Sequence, residues 1–200
     1  MHGEIGACEA NTSNVALDLM ILIRKILEAD LGATLAIVND AAQAYRGVIP
    51  ADRWREPYMP PDELEKEIAD GVVFWVAEED GRLSGVMGIQ DKGEVALVRH
   101  AYVAPTLQRK GVGTRLLRHV EGLAGKPVLI GTWADASWAI EFYRRNGFTV
   151  VPNPTKIACC GPTGRSRRDR SKRRWSSPID DGWRPDSVLQ RAADRHVRVQ

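Results

Sequence analysis

Gln108-Arg109-Lys110-Gly111-Val112-Gly113-Thr114 lies between an apolar run ending at Tyr102-Val103 and an amphipathic run beginning at Leu116-Leu117. This order reads as a strand, a glycine-bearing turn and a helix start. Gly111 and Gly113 let the backbone come close to a bulky anion, and the free N–H groups of a helix's first turn bind phosphate oxygens. The stretch predicts a pyrophosphate cradle; its plainer reading is a tight strand-to-helix turn. A Walker loop is excluded, because Gly113 is followed by Thr114-Arg115 and not by Lys-Ser or Lys-Thr. The three-glycine dinucleotide fingerprint is absent too.

Working outward, Val112, Leu116, Leu117, Val120 and Leu123 form one helical face, and Gly125-Lys126-Pro127 stops that helix. A strand over 128–131, a helix over 137–145 closed by Asn146-Gly147, and a strand over 148–151 follow. Upstream, residues 20–27 read as a first strand and 28–45 as a helix. A proline-rich segment leads into a short acidic helix over 61–71, a common cover for a substrate mouth. Residues 72–77 and 83–89 flank the turn Glu79-Asp80-Gly81 as a hairpin, and 94–103 completes the strand before the glycine turn. The fold class is α/β in the α+β sense, strands and helices mixed around one sheet.

Two hundred residues suit one compact domain, or a domain of about 150 residues with an appendage. No apolar run reaches the roughly 18 residues of a membrane span, and Arg24-Lys25 interrupts the best candidate. The start carries Glu4 and Glu9 without a basic leader, so a cytoplasmic protein is expected. Cys8, Cys159 and Cys160 form neither a disulfide framework nor a metal-ligand spacing; reduced thiols and no metal follow. The formal charge of +2 divides unevenly, −5 over residues 1–152 and +7 over 153–200.

Tyr102-Val103-x-Pro105, then residues 108–117, then Phe142-Tyr143-Arg144-Arg145-Asn146-Gly147-Phe148 together resemble the GNAT superfamily of N-acetyltransferases in wording and spacing. The resemblance covers roughly residues 20–151. It implies a mixed sheet splayed into a V and flanked by helices, acetyl-coenzyme A as donor, and direct transfer to a primary amine without a covalent enzyme intermediate. By the same resemblance, backbone groups of Ala101, Tyr102 and Val103 pair with the pantetheine arm as with an added strand. Gln108, Arg109, Lys110, Gly111, Val112, Gly113 and Thr114 then hold the pyrophosphate, with Arg109 and Lys110 adding charge attraction or remaining solvated.

Tyr143 matches the family's tyrosine, which protonates the departing thiolate. Glu94 and His100 are the two candidate bases for the amine; six positions apart, they share one face of a regular strand unless a bulge breaks the parity. Phe142, Phe148 and Trp138 read as core. Where the family often has an asparagine, this chain has Ala136, so a side-chain contact to coenzyme A is missing unless Asp135 or Ser137 replaces it. The acceptor is a small-molecule or peptide amine, and a homodimer is compatible with the resemblance.

The tail departs from the family. A long hairpin is expected after the Gly-Phe strand, yet residues 165–174 carry seven basic residues and strand periodicity is lost. Codon degeneracy permits residues 158–177, read one nucleotide earlier, to spell LLRTYWSIPARQIETSVVL, whose TSVVL supplies an apolar final strand. The expected organisation is therefore an extension over 1–19, a GNAT-like domain over 20–152, and a basic tail over 153–200 that is disordered or out of frame, leaving a sheet edge unpaired. Two other readings accompany this one: a coenzyme A-binding regulatory module without turnover, and a nucleic-acid binder acting through the tail.

Overall fold

Val72, Phe74 and Val76 turn buried side chains to one face of a strand, β2 (Val72–Glu79). Asp80 and Gly81, at φ of 48° and 73°, turn the chain into β3 (Arg82–Asp91). Positive φ at both central residues matches the twist of the flanking strands, which is why an Asp-Gly pair closes this hairpin. The protein is seen here as a computed structural model that describes residues 21–151 and 187–191.

β1 (Leu22–Lys25) pairs with the outer edge of β2, and Arg24 fastens it by ion pairs to Asp30 at 2.6 Å and Glu78 at 2.8 Å. β4 (Ala96–Val103) runs antiparallel to β3, and β5 (Val128–Thr132) lies parallel to β4. With β6 (Thr149–Val151) and β7 (Ser187–Arg191), the sheet order is β1-β2-β3-β4-β5-β7-β6.

Helices cover both faces. On one, α1 (Leu31–Ala42), α2 (Pro61–Ala69) and the segment joining them bring Ile37, Val38, Met59 and Leu64 onto Val72, Phe74, Val76 and Val86. On the other, α3 (Val112–Ala124) and α4 (Ser137–Arg145) pack Leu116, Leu117, Val120 and Tyr143 against Met87, Ala96, Val98 and Ile130. The apolar spacing of α3 thus marks its buried stripe.

Two irregularities shape the centre of the sheet. β4 and β5 pair only through Ala96, Val98 and the residue between them, after which β4 keeps β3 as its partner while β5 continues beside β7. A V opens there. In addition, Gly88 faces Arg99 whereas Val86 faces Tyr102, so β4 carries one extra residue, and His100 takes it up at a φ of 50°. That is a β-bulge, and it bends β4 where the V begins.

The tail differs from expectation in one respect. Residues 187–191, placed outside the domain by composition, form a strand between β5 and β6, with Val188 and Leu189 buried on opposite sides. The sheet edge expected to stay open is filled, because a strand covered on both faces needs only a short apolar pair. Arg191 anchors its end on Glu121 at 3.1 Å and on the Asn146 carbonyl at 3.0 Å. The expectations for residues 1–19, for the basic run 165–174 and for the shifted frame lie outside the described residues. Among the described residues, no helix is long and apolar enough to cross a membrane.

Candidate active site

The V opens onto a cavity of about 800 Å³, walled by β4, β5, α2, α4 and the segment after α1. The chain has four tyrosines, and all four, Tyr45, Tyr58, Tyr102 and Tyr143, line this cavity. Rings of Tyr45 and Tyr58 stand edge-on to Tyr102 at 6.4 and 6.2 Å. Such edge-to-face geometry suits the ring quadrupoles and leaves the hydroxyls to polar neighbours. Tyr45 bonds with Thr132 at the end of β5, and Tyr102 with Tyr58.

Burial, which disfavours a phenolate, pushes Tyr45 up to about 12 and Tyr102 and Tyr143 well above the ordinary tyrosine value of 10. Each hydroxyl keeps its proton in the folded protein where the unfolded chain has lost it. Stability supplied by these groups is full below pH 10 and falls as pH rises through the folded values. Urea midpoints taken from about pH 8 to pH 11 are expected to drop as tyrosinate absorbance grows. A midpoint that stays level through that range contradicts the burial assigned to these rings.

The bulge settles the face of His100. Ala96 and Val98 look toward α3 and α4, and after the extra residue Ala101 and Val103 do so, which leaves both Arg99 and His100 on the α2 side. There Glu67 of α2 meets them: its Oε1 accepts from Arg99 Nη2 at 2.8 Å, and its Oε2 lies 3.2 Å from His100 Nε2. All three side chains are nearly enclosed, with exposures of 10% for Arg99 and Glu67 and 14% for His100. All three also line the cavity. Arg99 further donates to Gln90 Oε1 at 3.3 Å, and Gln90 donates to the Asp70 carbonyl at 2.8 Å.

Glu94 does not join them. It is exposed in the turn before β4, roughly 20 Å of strand from His100, and is not among the residues lining the cavity. The parity that placed both candidate bases on one face is broken by the bulge.

Ala101 and Tyr102 line the cavity, and Val103 continues β4 toward the glycine turn. Gln108 Nε2 donates to the Val103 carbonyl at 3.3 Å and folds the turn back on the strand. Arg109 and Gly111 both take left-handed conformations, at φ of 64° and 87°. Such departures turn successive N–H groups to one side, which is how backbone makes an anion-binding concavity. The Arg115 amide reaches the Gly111 carbonyl at 3.0 Å, so Val112, Gly113 and Thr114 hold the first-turn amides that a helix leaves unsatisfied. A Cβ at Gly113 would stand 3.3 Å from the Phe142 ring and 3.5 Å from Val103, so glycine lets α3 start close to α4 and β4. Arg109 and Lys110 are exposed at the turn's outer side. These residues fit a pyrophosphate, and the free edge of β4 fits an extended arm leading from it into the cavity.

Ala136 stands fully buried at the N-terminus of α4, where it gives no side-chain cap. Trp138 corrects its reading as core: it is 45% exposed and lies tilted against Tyr45, with ring centroids 5.3 Å apart and ring planes 57° apart. On α4 the buried positions are Ala139 and Tyr143, four apart, and Trp138 falls one place off that stripe. Glu67 is the member of the site that the sequence reading missed. Its position three after the buried Leu64 was the available signal, hidden among the acidic neighbours Glu63 and Glu65.

Residues 70–150 match the model of the acetyltransferase (GNAT) domain. Among curated proteins, the peptidyl-lysine N-acetyltransferase YiaC of Escherichia coli is 28% identical over 130 residues, 65% of this chain and 84% of that protein. Among solved structures, the PaiA N-acetyltransferase of Thermoplasma acidophilum, in complex with coenzyme A, aligns with a TM-score of 0.63 at 21% identity over 86% of this chain and 99% of that one. The ribosomal-protein-alanine N-acetyltransferase of Brucella melitensis aligns with a TM-score of 0.51 at 26% identity over 66% of this chain and 86% of that one. Motif, domain match and splayed sheet agree on a GNAT acetyltransferase domain over residues 70–150, the kind of domain by which N-acetyltransferases move an acetyl group from acetyl-coenzyme A to an amine.

Proposed function

We propose that this chain acetylates a primary amine, on a small molecule or a peptide, inside the tyrosine-lined cavity. The observation that carries this reading is the meeting, in one cavity, of the free edge of β4 with Tyr143 from one side and His100 from the other. Residues 108–114 hold the donor's pyrophosphate, and Ala101, Tyr102 and Val103 hold its arm, which carries the reactive thioester. Its oxygen and arm are thereby fixed before the acceptor enters.

His100 takes a proton from the acceptor ammonium, which frees the nitrogen lone pair for the bond to the acetyl carbon. Tyr143 gives its hydroxyl proton to the sulfur as the carbon–sulfur bond breaks. Its high pKa does not prevent this, since the same desolvation that holds the phenol neutral also makes a buried thiolate a stronger base. As the amide forms, the nitrogen gives up its second proton, which restores the phenol of Tyr143, and His100 releases the first to solvent; the products are an amide, a free thiol and one proton. A cavity with both groups in its wall favours turnover over a binding-only module.

Calorimetric titration with acetyl-coenzyme A, followed by thiol release across a panel of amines, tests the reading. The panel begins with lysine peptides, because the Escherichia coli relative acts on peptidyl-lysine. Saturable binding with amine-dependent thiol release is expected. Binding without release for any amine returns the chain to the regulatory-module reading. The cysteine usage and the charge pattern support a cytoplasmic setting.

A further inference from the structure

The reading of His100 as base leaves its imidazole with a neighbour that the transfer reaction does not itself require. Glu67 reaches it from a different element, with Oε2 at 3.2 Å from Nε2, a charge contact between two buried atoms whose alignment is not that of a hydrogen bond. We propose that Glu67 is a positioning residue for His100: its carboxylate, standing against Nε2, keeps the ring in place and selects the tautomer with its proton on Nε2, which leaves Nδ1 free to act as the base.

Three features of the chain support this assignment. First, His100 sits at a φ of 50°, a left-handed conformation uncommon for any residue other than glycine. Such a conformation persists only where surroundings hold it, and the carboxylate is the polar group that meets this side chain. Second, the ring's apolar side is fixed too, with Phe74 of β2 tilted over it at a centroid distance of 5.7 Å. Third, Glu67 is itself held at its other oxygen by Arg99 at 2.8 Å, and Arg99 is steadied by Gln90. A carboxylate anchored at one oxygen and offered to a histidine through the other has little freedom to swing away. The chain of contacts runs from the hairpin strand β3 through Arg99 and Glu67 to the imidazole at the bulge.

The electrostatics of the wall give the assignment its sign. The cavity is lined by Asp62, Glu63, Lys66 and Glu67 of α2, by Arg53, Arg55 and Tyr58 of the segment before it, by Arg99 and Tyr102 of β4 and by Tyr143 of α4. Lys66 pairs with Asp70 and Arg55 with Glu63. Glu67 is the carboxylate that stands against the imidazole itself, and an opposite charge at that distance favours the ring carrying its proton on Nε2.

The proposal rests on His100 being the base, and the experiment separates the two. Glu67→Gln is compared with wild type in two backgrounds, with His100 intact and with His100→Gln, using kcat and KM for the best amine of the panel. With His100 intact, Glu67→Gln is expected to lower kcat/KM about 10- to 100-fold. In the His100→Gln background the same change is expected to have no further effect, since the group it acts through is gone. Acetyl-coenzyme A affinity stays unchanged throughout. Glu67→Asp keeps the charge for Arg99 but withdraws it from the ring, and is expected to fall between the two even if Glu67→Gln folds poorly. Equal losses in both backgrounds overturn the positioning role. A His100→Gln variant with wild-type kcat/KM overturns the base assignment first, and this proposal with it.

Discussion

Tyr143→Phe is expected to lower kcat about 100-fold while leaving the affinity for acetyl-coenzyme A within about twofold. The substitution removes one hydroxyl from a residue only 7% exposed and keeps its ring, which meets Phe142 at 5.0 Å and Phe148 at 6.1 Å. Packing is therefore retained, and what disappears is the proton given to the sulfur. That interaction exists only as the carbon–sulfur bond breaks, so binding of the intact donor does not register its loss. Steady-state thiol release at saturating amine, paired with calorimetry on the same variant, measures both quantities. If affinity falls by the same factor as turnover, Tyr143 is a wall residue that shapes the cavity, and the acid lies elsewhere.

Tyr143 was legible from sequence because it stands one residue after an aromatic and four before Gly147, in a helix whose end is marked by Asn146-Gly147. The cradle was legible for a similar reason: glycines report backbone conformation directly, and Gly111 does stand at a φ of 87°. The bulge was not legible. Its left-handed residue is a histidine and not the glycine that would mark a positive φ in the sequence, so nothing in the wording of β4 announces the extra residue. Because the bulge was hidden, so was the separation of Glu94 from His100, which depends on counting two residues per turn of the pleat.

Glu67 and the three other cavity tyrosines show a second limit. Tyr45, Tyr58, Tyr102 and Glu67 lie on a helix end, an irregular segment, a strand and a second helix. Nothing local in any of these stretches speaks of the others, so their convergence is a property of the topology alone. The helical spacing of Leu64 and Glu67 did place one carboxylate on an apolar face, and a buried carboxylate is expected to have a partner. Trp138 failed in the opposite direction: its size suggested core, while its position beside the Ala139–Tyr143 stripe decided exposure.

Leu189→Ala is expected to reduce the unfolding free energy by about 2–5 kcal/mol, the usual range for a leucine truncated inside a packed core. Leu189 is fully buried and shares a cluster with Ile130, Tyr143 and Phe148, while its backbone stands opposite Ile130 on one side and Val150 on the other. Two strands therefore depend on it. The consequence reaches the cavity, because Gly131 and Thr132 of β5 have left β4 and pair with Val188 and Ser187 of β7. Thr132 in turn bonds with Tyr45 inside the cavity. Loosening β7 thus frees the far wall of the V, and acetyl-coenzyme A affinity is expected to weaken along with stability, in contrast to Tyr143→Phe, which spares both. Urea unfolding and calorimetry on Leu189→Ala make the test. If neither changes, residues 187–191 are not the final strand of the sheet, and the last strand has to be sought in the apolar segment TSVVL of the alternative frame.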